Sequence, residues 1–70
     1  MEKQYDRLVD TDEVNGYIYV GEAEPGSNRA NPVWRIKRVL EVGEDIEIIW
    51  ADNSADFDKV WDDRATFEYN

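Results

Sequence analysis

The chain contains no cysteine and no histidine. Without cysteine there is no disulfide, no thiolate zinc site, no iron–sulfur cluster and no cysteine nucleophile. Without histidine the usual proton shuttle near neutral pH is missing as well. Basic side chains are few, 8 against 17 acidic ones, which leaves a formal charge of −9. Long apolar runs are also absent. The longest candidate, residues 46–51, is interrupted by Glu47 and falls far short of the roughly 18 residues that span a bilayer. The opening residues hold no apolar core of the roughly 7 to 15 residues that a secretory signal needs, so no signal peptide is expected. With 70 residues the chain forms one small domain, and such a chain buries only about 60% of its unfolded surface. That depth does not suit a walled catalytic cavity, and the sequence predicts a protein that is not an enzyme.

What is present points to a folded, mainly β protein. Hydrophobic residues make up 41% of the chain and aromatic residues 13%, among them Trp34, Trp50 and Trp61, which argues against intrinsic disorder. Residues 1–15 read as a polar arm with room for one short strand, and residues 16–70 as a single β domain. Asn15-Gly16 favours a turn, and Tyr17-Ile18-Tyr19-Val20 after it has the β-branched and aromatic composition of a strand. Residues 24–32 collect both prolines with glycine, serine and asparagine and read as an exposed loop. Residues 33–40 alternate, with Trp34, Ile36 and Leu40 on one face and Val33, Arg35, Lys37 and Val39 on the other. Arg38 is a misfit on the apolar side. Residues 42–45 supply a turn, and Ile46, Ile48 and Trp50 align along a following strand, so the two strands are expected to form an antiparallel hairpin. Phe57 and Trp61, spaced i and i+4, suit a short helical or 3₁₀ segment docking two rings, and residues 66–69 alternate again as a closing strand. The predicted fold is a small antiparallel β-sandwich or open barrel with one short helical segment. Its less charged edge, residues 17–20, is open to a neighbouring subunit. A domain this small, with no covalent staple, also favours self-association.

Several clusters invite chemical readings. Asp52, Asp56, Asp58, Asp62 and Asp63 are oxygen donors of the kind calcium prefers, and Asp52, Asp56 and Asp58 fall at acceptable spacings. Phe57 nevertheless stands where a calcium loop needs glycine, and Asp63 where it needs a bidentate glutamate. The plainer reading is that these carboxylates turn the chain and solvate its surface. Asp62 and Asp63 are adjacent and point apart, which does not suit paired-carboxylate catalysis. Ser27 and Ser54 have no histidine to activate them. No catalytic residue, cofactor or resident metal is expected.

Residues 25–40 carry Arg29, Arg35, Lys37 and Arg38 with no acid, near Trp34, Tyr17 and Tyr19. Cations beside aromatic rings can grip single-stranded nucleic acid, but a net charge of −9 opposes a polyanion. The ordinary reading pairs Arg35 and Lys37 with Glu47 or Glu68 across a strand. A second reading sets the basic strip against the acidic segment 52–63 of another copy. Arg64 follows Trp61-Asp62-Asp63, where its planar fork can stack on the ring and hold a carboxylate. Trp61 then either pins the acidic segment to the sheet or anchors an interface. The candidate interface residues are Arg35, Lys37, Trp61 and Arg64.

Taken in order, Tyr19-x-Gly21-x-Ala23-x-Pro25-Gly26, Trp34-Arg35-Ile36, Trp50-Ala51-Asp52, Phe57-Asp58-x-Val60-Trp61-Asp62-Asp63-Arg64-Ala65 and Tyr69 resemble a small family of short bacteriophage and prophage proteins. The resemblance runs over about residues 17–69, and the segment from Phe57 to Ala65 is its most specific part. Where that family often has glycine after tryptophan-alanine-aspartate, this chain has Asn53, a residue that tolerates a left-handed turn. Where the family carries a small-residue loop, this chain has Asn28-Arg29-Ala30-Asn31-Pro32. The resemblance implies a virion-associated structural protein, a decoration, tail or fibre component that binds itself or a larger virion protein. Its expected place is the virion, or the host cytoplasm before assembly. The rival expectation, motivated by the charge, is an acidic phage inhibitor or adaptor of a host protein, acting as a DNA mimic.

Overall fold

The structure is a computed structural model that describes residues 4–69; residues 1–3 of the expected arm and residue 70 lie outside the described residues. Four strands, β1 (Asp6–Asp12), β2 (Tyr17–Ala23), β3 (Arg35–Val42) and β4 (Asp45–Trp50), form one antiparallel meander in the order β1-β2-β3-β4. The chain is therefore mainly β and antiparallel, as its alternating patterns require. The sheet stays open, and the segment after β4 covers one face where a second sheet would lie in a sandwich.

Turn chemistry sets the register. Asp12 caps the first turn, its carboxylate accepting from the backbone and side-chain N–H groups of Asn15, while Gly16 takes φ of +74° and donates to the Asp12 carbonyl at 2.9 Å. Those bonds to Asn15 also hold the Asp12 carboxyl below its ordinary pKa. Between β3 and β4 the loop is two residues, with Gly43 at φ of +62° supplying the positive φ that a tight hairpin needs. Val42 then faces Asp45, and Lys37 faces Trp50.

The register sorts the side chains into two faces, because directly opposed residues share a face. The covered face carries Leu8, Tyr17, Tyr19, Gly21, Ala23, Ile36 and Ile49. Trp34, Ala51, Trp61 and Tyr69 complete this core, and Phe67 packs against it. Trp34 is fixed by a two-way backbone bridge to Lys59 and by its indole N–H, which donates to the Asn28 carbonyl at 3.0 Å. Tyr69 tucks beneath Tyr19 at a ring separation of 5.8 Å, and its hydroxyl donates to the Arg64 carbonyl at 2.6 Å. Burial pushes the pKa of both phenols upward.

Several expectations need correction. The one short strand for which residues 1–15 had room is β1, and it belongs to the sheet rather than to an arm, pairing with β2 along its whole length. Residues 17–20 lie in a central strand, so the exposed edges belong to β1 and β4. The short helical or 3₁₀ segment takes the form of two 3₁₀ turns, Ala51–Asn53 and Trp61–Thr66. The bridge at Lys59 keeps the chain extended between them, so Phe57 and Trp61 go to opposite faces of the sheet. The expected strand at residues 66–69 does not form. Glu68 instead exchanges bonds with Asp52, whose N–H donates to the Glu68 carbonyl at 2.7 Å and whose Oδ1 accepts the Glu68 N–H at 3.1 Å.

That clip places Asp52 and Asn53 at φ of +53° and +57°, the left-handed region anticipated for Asn53. A β-branched residue there costs about 1–2 kcal/mol, whereas glycine carries no such penalty. Asn53→Val is expected to lower the urea midpoint and Asn53→Gly to leave it level or raise it.

Candidate functional site: the open face of the sheet

The second face has no covering segment over most of its area. Its side chains fall in four cross-strand rows. The first is Arg7, Glu22 and Arg35; the second Val9, Val20, Lys37 and Trp50; the third Thr11, Ile18, Val39 and Ile48; the fourth Glu41 and Ile46.

The first row closes on itself. Glu22 is buried, with Oε2 held by Arg7 at 2.7 Å and Oε1 by Arg35 at 3.0 Å. The hydrogen bond from Arg7, supported by the charge of Arg35, holds the Glu22 carboxyl below its ordinary pKa against the opposing effect of burial. Arg35 also sits against three rings, 4.7 Å from Phe57, 5.3 Å from Tyr5 and 5.7 Å from Trp50. Tyr5 and Phe57 stack on each other at 5.4 Å, so this end of the face is capped by the chain itself.

The other three rows are uncovered and largely apolar. Val9 is 61% exposed, Ile46 66% and Ile48 57%, and Ile18 is exposed beside them. Val20, Val39 and Trp50 are half-buried between them. Two rows across four strands and a third across β3 and β4 only span about 300 Å² in projection, at the lower end of the size range of the largest apolar patches on monomeric proteins. Lys37 approaches Trp50 at 5.4 Å. Among the described residues neither Lys37 nor Glu41 has an ion-pair partner within the chain.

The candidate interface residues thus separate. Lys37 lies on the open face with its charge uncommitted. Arg35 lies there too, but Glu22 holds it rather than Glu47 or Glu68. Trp61 is buried on the covered face, tilted against Trp34 at 6.2 Å, and serves as a pin rather than a surface anchor. Arg64 stacks on Trp61 at 4.8 Å and its Nε donates to Asp10 Oδ2 at 3.2 Å, so its carboxylate comes from β1 instead of Asp62 or Asp63. The basic strip is likewise divided, because Arg38 points to the covered face between the rings of Tyr17 and Tyr69 at 4.1 and 4.8 Å.

Two carboxylates of the acidic segment are engaged locally, Asp52 in the clip to Glu68 and Asp58 with Lys59, while Asp56 bonds through its backbone N–H to Ser54 Oγ. Among the described residues no three carboxylates converge as a metal site would require, and no pocket opens. No helix of the described residues is long and apolar enough to cross a membrane.

The residues that sequence reasoning did not single out are the apolar ones, Val9, Ile18, Val20, Val39, Ile46 and Ile48. Compared with known proteins, the chain matches no protein-family model, no curated protein and no solved structure.

Proposed function

We propose that the chain is a non-enzymatic structural protein that works through protein–protein contacts, and that its setting is the bacteriophage particle, as a decoration, tail or fibre component. The observation that carries the contact reading is the open sheet face, where Val9, Ile18, Ile46 and Ile48 are exposed around a half-buried Trp50 on the side of the sheet opposite the core. Contiguous apolar patches of this size on small soluble proteins commonly mark interaction sites. The non-catalytic reading rests on the lack of cysteine and histidine throughout the chain. The phage setting rests on the resemblance carried by residues 57–65.

The test is composition. Particles purified from a culture producing the phage that encodes the chain are quantified by mass spectrometry, with wild type and Ile48→Glu compared. The expected result is wild-type protein at a fixed ratio to the major particle protein and loss of the variant by about tenfold or more, as for charge placed in a desolvated contact. Absence of the wild-type chain from particles, or its recovery on a host DNA-binding protein in competition with DNA, overturns the reading in favour of an adaptor.

A further inference from the structure

We infer that the open face is occupied by a second copy of this chain, packed face to face across a two-fold axis that runs along the row Thr11, Ile18, Val39 and Ile48. The inference rests on the reading of this face as a contact surface and names its partner. The pattern of β3 and β4 is self-complementary about that row. On β3, Lys37 stands two residues before Val39 and Glu41 two residues after it, on the same face. On β4, Trp50 and Ile46 stand at the same offsets on either side of Ile48.

A two-fold axis lying in the interface and perpendicular to the strands sets β3 antiparallel over β3 of the other copy. Val39 and Ile48 then meet their own counterparts on the axis, Trp50 meets Ile46, and Lys37 meets Glu41, each contact occurring twice. This is the isologous arrangement of a closed dimer, and the aligned packing of two sheets gives it the geometry of a β-sandwich. Lys37, whose ammonium lies over the Trp50 ring, and Glu41 have no ion-pair partner among the described residues, and they pair between copies.

Arg7, Arg35 and Lys37 against Glu22 and Glu41 leave the face at 3 − 2 = +1, while the whole chain stands at −9. Pairing these faces places the excess acid of both copies outward, so long-range repulsion opposes the dimer and added salt strengthens it. A patch of about 300 Å² in projection lies at the small end of specific interfaces, the class of weak and reversible contacts.

The test is sedimentation velocity over about a hundredfold range of concentration for wild type, Lys37→Glu, Glu41→Lys and the double variant carrying both, each checked for native circular dichroism. The expected result is reversible dimerisation of wild type, weakened about tenfold or more by each single reversal through like charges brought together, and restored to within about threefold in the double variant. A wild-type chain that stays monomeric throughout overturns the inference. So does a dimer indifferent to both single reversals, which is the behaviour expected of edge pairing through β4. A monomer that still enters particles removes the second copy and leaves the contact reading in place; a charge-dependent dimer absent from particles keeps the second copy and the contact face and removes the particle setting.

Discussion

Gly21→Ala is expected to lower the melting temperature by about 10–20 °C, and Gly21→Val to prevent folding. The backbone at Gly21 is extended and unstrained, so propensity alone gives the opposite sign: alanine in a strand is favoured over glycine by about 0.5–1 kcal/mol. Space decides the outcome. A Cβ at position 21 would lie 2.5 and 2.7 Å from Cε3 and Cζ3 of Trp61 and 3.3 Å from Cε3 of Trp34. Trp61 cannot withdraw freely, because it is buried, capped by Arg64 on its ring and followed by a 3₁₀ turn whose Asp62 N–H donates to the Arg29 carbonyl. Overpacking of this kind costs about 1–3 kcal/mol or more. In a domain of this size each kcal/mol corresponds to about 4–8 °C. The clash also predicts coupling: in a Trp61→Leu background the alanine should cost at least about 1 kcal/mol less than it does alone. Thermal melts of the four proteins check this, and a Gly21→Ala variant more stable than wild type contradicts the packing described for the covered face.

Glu22→Gln is expected to cost about 1–3 kcal/mol near neutral pH and almost nothing in strong acid, since hydrogen bonds to charged partners carry most of its contribution. Glu22 lies below its ordinary value of 4.5 in the folded chain because Arg7 and Arg35 hold the charged form. A depressed carboxyl contributes stability that is present above the unfolded value and is lost as pH falls through the folded one. Urea midpoints of wild type and variant should therefore separate above about pH 4.5 and converge below the folded pKa. A constant gap at every pH would mean that Glu22 acts through packing alone. The same substitution loosens Arg35, which Glu22 holds against Phe57 and Tyr5, so the stacked cap on this end of the open face should become more mobile with it.

These two sites show what the sequence made legible and what it hid. Composition located β2, whose run Tyr17-Ile18-Tyr19-Val20 is β-branched and aromatic, alternation located β3 and β4, and Gly16 and Gly43, which take positive φ, marked both tight turns. β1 was obscured because Asp6, Asp10 and Asp12 occupy its covered side, where a core strand normally shows apolar residues. It is held instead by its ladder to β2 and by Arg64, which reaches Asp10 from 54 positions away. Phe57 and Trp61 kept a helical spacing although the backbone there is extended, because the bridge between Trp34 and Lys59 is non-local and leaves no periodic trace.

The open face had a readable signal. A two-residue loop pairs Val42 with Asp45, and from there every even position of β4 opposes an odd position of β3. Ile46, Ile48 and Trp50 must then share a face with Arg35, Lys37 and Val39 and not with Trp34 and Ile36. Gly21 carried no such signal, since the ring it admits belongs to a residue 40 positions later, and only the folded arrangement brings Trp61 over it.

The division of the sheet into a core face and a contact face is tested most directly by thermal unfolding of wild type and Ile48→Glu across a wide range of protein concentration. Association of native chains raises the melting temperature with concentration. Wild type is predicted to melt higher as concentration rises, and Ile48→Glu to melt at one temperature throughout, equal to that of dilute wild type. A variant that melts many degrees below dilute wild type would contradict the account, because Ile48 would then be part of the chain's own core.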